Sequence, residues 1–243
     1  MDIRFFIHDE VTSTQDVVIE AAKSGEPEGY AVMARRQTQG RGRTGRTWIS
    51  PGEKNLALSV LLRPTIEPAG APLIGLLASV AVANALDDMA RFRTSLKWPN
   101  DVLVNGQKTA GILSEAEMTA DKIEFVAVGV GVNVNSERAD FPAEFRNDLT
   151  SMKMAAQRHF APEDVARFIL EEMDRLDRRL NEEGPGFISS LWETRWAHKG
   201  QTLSREGISG IGERIDPDGA LVLRTTDGRT ERISSGELFV AGQ

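Results

Sequence analysis

Gln37-Thr38-Gln39-Gly40-Arg41-Gly42-Arg43-Thr44-Gly45-Arg46-Thr47-Trp48 interleaves three glycines with three arginines, and no acidic residue falls between Glu28 and Glu53. Glycine lets the backbone approach a ligand and expose its N–H groups, and arginine adds charge-assisted contacts to phosphate or carboxylate oxygens. The stretch therefore reads as an anion-binding loop. A solvated basic turn is the plain alternative, but such a turn does not need glycine and arginine alternated so regularly. The flanks decide the fold. Tyr30 to Ala34 reads as a strand before the loop, and Trp48-Ile49-Ser50-Pro51-Gly52 leads into another strand over Asn55 to Leu62. Gly40, Gly42 and Gly45 satisfy G-x-G-x-x-G, and Gly40 to Thr47 approximates G-x-x-x-x-G-K-[ST] with Arg46 in place of lysine. Both of those phosphate motifs require a helix immediately after the glycines, which is missing here. A strand–loop–strand cover over phosphates is closer to a protein kinase, but no H-R-D or D-F-G motif occurs.

Outward from the loop the pattern is mixed. Ile3 to Ile7 reads as an opening strand, and Thr12 with Gln15 three residues later as a capping box that starts a helix towards Lys23, with Ser13 and Thr14 in its first turn. Residues 73–90 form an apolar helix. Ser95–Asp101, Gln107–Glu117 and Lys122–Val134 read as strands joined by turns at Asn105-Gly106 and Thr119–Asp121. Pro162 to Leu180 carries apolar residues at helical spacing. From Gly200 the chain breaks into short β-like runs between glycines, which suggests a small barrel. The expectation is an α+β domain over residues 1–198 and a small barrel over residues 199–243.

Two further segments carry chemistry. Lys97-Trp98-Pro99-Asn100-Asp101 contains a proline that forces Trp98 to be extended and places Asn100 and Asp101 at a rim, where they either hold magnesium beside phosphates or cap a turn. Lys108 interrupts an apolar-leaning strand, Thr109 to Leu113. It is either an exposed edge lysine or a positive charge brought to a site where two anions meet. Gly129-Val130-Gly131-Val132-Asn133 lacks side chains at alternate positions, so something approaches that face closely. Asn133 can pair with a base edge such as adenine or form a turn.

The 243 residues are 40% hydrophobic and 27% charged with a formal net charge of −7, which disfavours a surface adapted to nucleic acid. The absence of cysteine excludes thiol nucleophiles, disulfides and thiolate metal sites. Asp2, Arg4, Asp9, Glu10 and Asp16 break up the first twenty positions, so no secretory leader is expected and the cytoplasm is the expected compartment. The uncharged run from Pro68 to Leu86 is diluted by glycine, proline, serine and asparagine and is expected to be a buried core helix, not a membrane span.

Four motifs in order, Gly40 to Trp48, Lys97 to Asp101, Lys108-x-x-Gly111-x-Leu113-x-Glu115 and Gly129-x-Gly131-x-Asn133, closely resemble those of the biotin protein ligases. The resemblance implies an α+β catalytic domain with a mixed sheet followed by an SH3-like barrel. It is strong over about residues 5–135 and weaker over the tail. Members that double as repressors carry an N-terminal helix-turn-helix domain. With the first strand beginning within seven residues of Met1, the expectation is a ligase without that domain and without DNA binding.

The resemblance implies a reaction in which ATP activates biotin to biotinyl-5'-AMP and a lysine of a biotin carboxyl carrier protein of acetyl-CoA carboxylase, or a related carboxylase, takes the biotin. It implies Lys108, Arg41 and Arg43 as catalytic groups. Ser13, Thr14, Gln37, Gly40, Arg41 and Gly111 fall where the family holds biotin. Arg43 and Arg46 fall at the phosphates or adenylate, Trp48 near the nucleotide and Asn133 near adenine. Gly42, Lys97, Asn100 and Gly131 complete the ligand set, and Asp101 is the expected ligand of Mg2+. A homodimer is compatible with the family, which includes sheet-to-sheet dimers. Lipoate-attaching ligases share the chemistry, but the intact arginine–glycine loop ending in Trp48 favours biotin. A non-catalytic nucleic-acid module is the reading from a different class, opposed by the net acidity.

Overall fold

The computed structural model describes residues 1–48, 52–205 and 207–240. The expected path of Ile49 to Pro51 between the loop and the next strand lies outside these residues. In chain order come β1 (Arg4–Val11), α1 (Thr14–Lys23), β2 (Tyr30–Gln37), β3 (Leu56–Leu62), α2 (Ala71–Ala90), β4 (Thr94–Lys97), β5 (Asp101–Val104), β6 (Gln107–Met118) and β7 (Ile123–Val132). There follow α3 (Met152–Ala156), α4 (Pro162–Glu183) and α5 (Pro185–Glu193), then β8 (Thr202–Arg205), β9 (Ile208–Ile215), β10 (Leu221–Arg224), β11 (Thr230–Ile233) and β12 (Phe239–Val240).

The first seven strands make one mixed sheet in the order β1-β2-β3-β7-β6-β5-β4, with β1 and β2 parallel and the other neighbours antiparallel. The α+β reading holds. Strand period sorts the two faces. On β3, Leu56, Leu58, Val60 and Leu62 join the large core that includes α2, α4 and α5, whereas Leu61 joins a separate cluster with Val18 and Ala22 of α1. Ala57 and Ser59 share the side of Leu61 by alternation. The small and polar residues of an otherwise apolar strand thus face α1.

Helix α2 is apolar on nearly every side because it is covered nearly all round, by the sheet beneath and by α4 and α5 above. By length and composition it could cross a membrane, but 78% of its most apolar window is buried inside the protein. Helix α4 starts with Pro162 and acidic residues in its first turn, buries Val165, Ile169, Leu170, Met173, Leu176 and Leu180, and ends at Gly184 with φ 80°.

Two local expectations are corrected. Helix α1 begins at Thr14 with Ser13 as its cap, the Ser13 Oγ accepting from the Gln15 N–H at 3.3 Å, so Thr12 is not the capping residue. Gln15 turns inward instead of back to the cap. The run Ser95–Asp101 is not one strand: β4 and β5 form a hairpin about Trp98-Pro99-Asn100. Proline has no N–H for the ladder, and the chain turns there. The Asn105-Gly106 turn is as expected, with φ of 53° and 78°.

The last five strands form an antiparallel sheet in the order β11-β10-β9-β8-β12, in keeping with the expected SH3-like unit. Leu203, Ile215, Leu221, Leu223, Ile233 and Leu238 belong to the same hydrophobic cluster as α2, so the tail is packed onto the first sheet's core. Trp98 Nε1 donates to the Gly219 carbonyl at 3.1 Å, and the Trp196 ring fills the space left by Gly212.

Candidate active site

A cavity of about 150 Å³ opens on the α1 side of the first sheet. Its floor is Ala57 and Ser59 of β3, Gly129 and Gly131 of β7, and Gly111 and Leu113 of β6. These fall together because Gly111 pairs with Gly131, Leu113 with Gly129, and Gly131 with Ala57 across the ladder. Ser13, Thr14 and Gln15 enter from the start of α1, Gln37 from the end of β2, and Asn100, Asp101 and Lys108 from the β5–β6 side.

The alternating glycines admit the protein's own side chains. A Cβ at Gly129 would lie 2.7 Å from Gln15 Oε1, and one at Gly131 would lie 2.3 Å from Trp48 Cε2. A Cβ at Gly111 would meet both Trp48 and the end of Lys108 at 3.3 Å. The Trp48 indole therefore lies over the glycine pair. Its buried Nε1 has no hydrogen-bond partner among the described residues.

The arginine loop is a tight hairpin. Gly42 N donates to Arg46 O at 2.8 Å, Trp48 N to Gly40 O at 3.1 Å, and Thr44 and Gly45 turn the chain with φ of 53° and 75°. Each arginine is held by a different part of the fold. Arg41 reaches Asp16 of α1 at 2.6 Å and Glu115 of β6; Arg43 donates to Asn100 Oδ1 at 3.1 Å; Arg46 is paired with Glu237 of the tail. Arg41 and Arg46 thus meet carboxylates, while Arg43's hydrogen-bond partner among the described residues is a neutral amide. Burial pulls the Arg43 guanidinium below its ordinary value, opposed by Asp101 and Glu237. It stays charged at neutral pH.

Lys108 is not an edge lysine. Its backbone pairs with β5 on one side and with residues 148–150 on the other, and its Nζ lies 2.5 Å from Asp101 Oδ1 with the side chain 30% exposed. Asp101 faces this lysine, and among the described residues no group of three or more acidic or histidine side chains could hold a metal ion.

Of the residues singled out in the sequence, Ser13, Thr14, Gln37, Arg41, Gly42, Arg43, Arg46, Trp48, Asn100, Asp101, Lys108, Gly111 and Gly131 line the cavity. Gly40 lies outside its lining, where a Cβ would be 2.4 Å from the Trp48 carbonyl oxygen. Lys97 and Asn133 also lie outside. Asn133 is buried and its amide donates to the Thr150 carbonyl at 3.1 Å. Sequence reading missed Gln15, Ser59 and Glu237, which line the cavity. Ser59 was detectable as the one polar side chain in Leu56–Leu62, whereas nothing near Glu237 in sequence points to the loop.

The family model for the biotin/lipoate A/B protein ligases matches residues 8–133. The chain is 37% identical over 225 residues to a bifunctional ligase/repressor BirA of Bacillus subtilis, covering 91% of this chain and 69% of that one. It is 34% identical over 218 residues to a biotin–[acetyl-CoA-carboxylase] ligase of Paracoccus denitrificans, covering 87% and 90%. Among solved structures, the biotin protein ligase of Aquifex aeolicus in complex with biotin and ATP superposes with a TM-score of 0.77 at 29% identity, covering 98% of both chains. The matched residues include the arginine loop, the Lys108 strand and the glycine floor, and the chain belongs to the biotin/lipoate A/B protein ligase family as an enzyme of the biotin protein ligase type.

Proposed function

We propose that the protein joins biotin to a lysine of a biotin carboxyl carrier protein in two steps. The biotin carboxylate attacks the α-phosphorus of ATP, releasing pyrophosphate and forming biotinyl-5'-AMP. The carrier amine then attacks the carbonyl of this mixed anhydride, releasing AMP. The observation that carries the reading is one cavity with hydrogen-bonding Ser13, Thr14 and Gln37 at one end and Arg43 and Lys108 at the other. The first end suits an uncharged polar ring, the second the meeting of two anions. A carboxylate and a triphosphate repel until cations offset their charge, and fixed cations do so without reorientation.

In this reading Lys108 and Arg43 stabilise the charge that builds on the reacting oxygens. Arg41 and Gly40 hold the loop's biotin end, Gly42 lets the loop close on the Arg46 backbone, and Gly111 leaves room for Trp48 and Lys108 beside the ligand. Arg46 engages the phosphates, and Trp48 over Gly131 meets the nucleotide base. Asn100 positions Arg43. Lys97 and Asn133 act at one remove, Lys97 by adding positive field at Glu237 and Asn133 by holding the end of β7. Magnesium would arrive as part of the ATP substrate, which suits a site with few carboxylates, and Asp101, already paired with Lys108, would be its protein contact. Residues 1–198 carry the chemistry, and residues 199–243 complete the wall through Gly236 and Glu237. The expected cytoplasmic location fits an enzyme that draws on ATP and the proposed carrier.

Mass spectrometry after mixing the protein with biotin, ATP and Mg2+ tests the first step, with biotinyl-adenylate as the expected product. A lipoyl-adenylate formed from lipoate, with none from biotin, would transfer the reading to a lipoate-attaching ligase.

A further inference from the structure

At the polar end of the cavity four of its lining side chains form a continuous chain. Gln15 Nε2 donates to the Ala127 carbonyl at 2.9 Å, which fixes that amide's orientation. Ser59 Oγ lies 3.1 Å from Gln15 Oε1 and 2.8 Å from Thr14 Oγ1. Thr14 Oγ1 lies 3.1 Å from Gln37 Oε1, which also accepts the Thr14 backbone N–H at 2.8 Å. The second amide is therefore fixed too.

Three oxygen–oxygen contacts in this chain share only two hydroxyl hydrogens, those of Ser59 and Thr14. One contact must lack a hydrogen. Ser59, Gln15 and Thr14 are 0%, 2% and 3% exposed whereas Gln37 is only half-buried, and an acceptor left unsatisfied in the interior is more costly than one that water or ligand can reach. Ser59 accordingly donates to Gln15, Thr14 donates to Ser59, and the shortfall falls at the cavity. There Thr14 Oγ1 and Gln37 Oε1 present lone pairs side by side.

We infer that Gln15 and Ser59 are specificity-determining positioning residues, which hold Thr14 and Gln37 as a paired acceptor that selects a ligand N–H. This rests on the proposed reading, in which that N–H belongs to the cyclic urea of biotin. Ser13 completes the pattern, since its Oγ accepts from Gln15 N and its hydroxyl hydrogen can serve the neighbouring ring carbonyl. Glycine at 129 is a condition of the arrangement, because a Cβ there would collide with Gln15 Oε1.

The test is calorimetric binding, without nucleotide, of biotin and of the two carbamate analogues in which one or the other ring N–H is replaced by oxygen. Wild-type protein is expected to bind one analogue about 100-fold or more weaker than biotin, because its ring oxygen confronts two acceptors. In Ser59→Ala the Thr14 hydrogen turns to Gln37 Oε1, and in Gln15→Met the Ser59 hydrogen turns to Thr14 and frees that of Thr14. In both variants the discrimination should fall to about tenfold or less. A general loss of packing would weaken all three ligands together and leave the ratio unchanged. An unchanged ratio in either folded variant overturns the inference while leaving the biotin reading intact. Failure of wild-type protein to bind biotin removes that reading and the inference with it.

Discussion

Arg46 and Glu237, 191 residues apart, form a two-pronged ion pair, Nη1 to Oε1 at 2.5 Å and Nη2 to Oε2 at 2.7 Å. The pair ties the tip of the arginine loop to the C-terminal sheet. Glu237 is held below the ordinary carboxylate range by its hydrogen bonds from Arg46, with Lys97 and Lys108 adding to the field, although burial opposes this. Arg46 is raised in turn by the same bonds. Both arms of the guanidinium fork are engaged by a protein carboxylate, so a phosphate that takes Arg46 must displace Glu237 or share the arginine with it.

Glu237→Gln should loosen the loop. The two side chains are 66% and 43% exposed, and exposed pairs contribute at most about 1 kcal/mol, so trypsin cleavage among Arg41, Arg43 and Arg46 should quicken only about two- to fivefold. Biotin with ATP should slow the cut more than ATP alone in the wild type. The sign of the pH effect follows from the depressed carboxyl: the pair contributes above the ordinary glutamate range near pH 4.3 and is lost as pH falls through Glu237's lower value. Protection should therefore be flat between about pH 6 and 8 once trypsin's own profile is divided out. Equal cleavage of variant and wild type would show that the pair does not restrain the loop.

Lys108→Ala should lower the rate of adenylate formation by about 100-fold or more, because on the proposed reading it deletes a fixed cation at the reacting centre. The fold should survive, since Asp101 keeps a favourable charge interaction with Arg43 when its lysine is gone. Pyrophosphate release by a variant with unchanged circular dichroism is the measurement. Near-normal release would remove Lys108 from the chemistry.

On the proposed reading, Gly131→Ala should separate nucleotide binding from biotin binding. Its new Cβ would lie 2.3 Å from Trp48 Cε2 and must push the indole away, while the wall of Ser13, Thr14 and Gln37 lies elsewhere. The Michaelis constant for ATP should rise at least about tenfold, and biotin affinity measured without ATP should change less than about threefold. Equal losses for both ligands would mean that Trp48 serves the whole cavity.

Much of this site was legible because its parts are local in sequence. Arg41 to Trp48, Lys97 to Asp101 and Lys108 to Glu115 are short motifs, and period two puts Gly129 and Gly131 on one face. The errors came where two neighbours satisfied one rule. Thr12 and Ser13 are both capping types, and β1 continuing to Val11 decides for Ser13. Ser95 to Asp101 has strand-like residues on both sides of a proline, and only the β4–β5 pairing shows that the chain reverses. Glu237 was not legible, since its significance depends on tertiary packing that brings the tail to a loop 191 residues earlier. Ser59 and Gln15 stood in plain view, but their importance lies in counting hydrogens, which needs distances.

Removal of residues from Gly200 onward is expected to impair carrier labelling, and the structure supplies two separable causes. The tail buries Leu203, Ile215, Leu221, Leu223, Ile233 and Leu238 in the common core, and each large aliphatic side chain fully buried contributes roughly 1.5–3 kcal/mol. Cutting it away also uncovers Trp98 and Trp196, whose partners Gly219 and Gly212 leave with it. The truncated chain should therefore melt well below the full chain and lose adenylate formation as well as transfer. Glu237→Gln retains the core and removes only the charge at the tip, so it should keep the full chain's melting temperature within a few degrees, as expected for an exposed pair worth under about 1 kcal/mol. Measuring melting, adenylate formation and carrier labelling for both proteins separates the causes. If the truncated protein melts like the full chain and labels carrier at the normal rate, the tail is neither a support nor a working wall of the site.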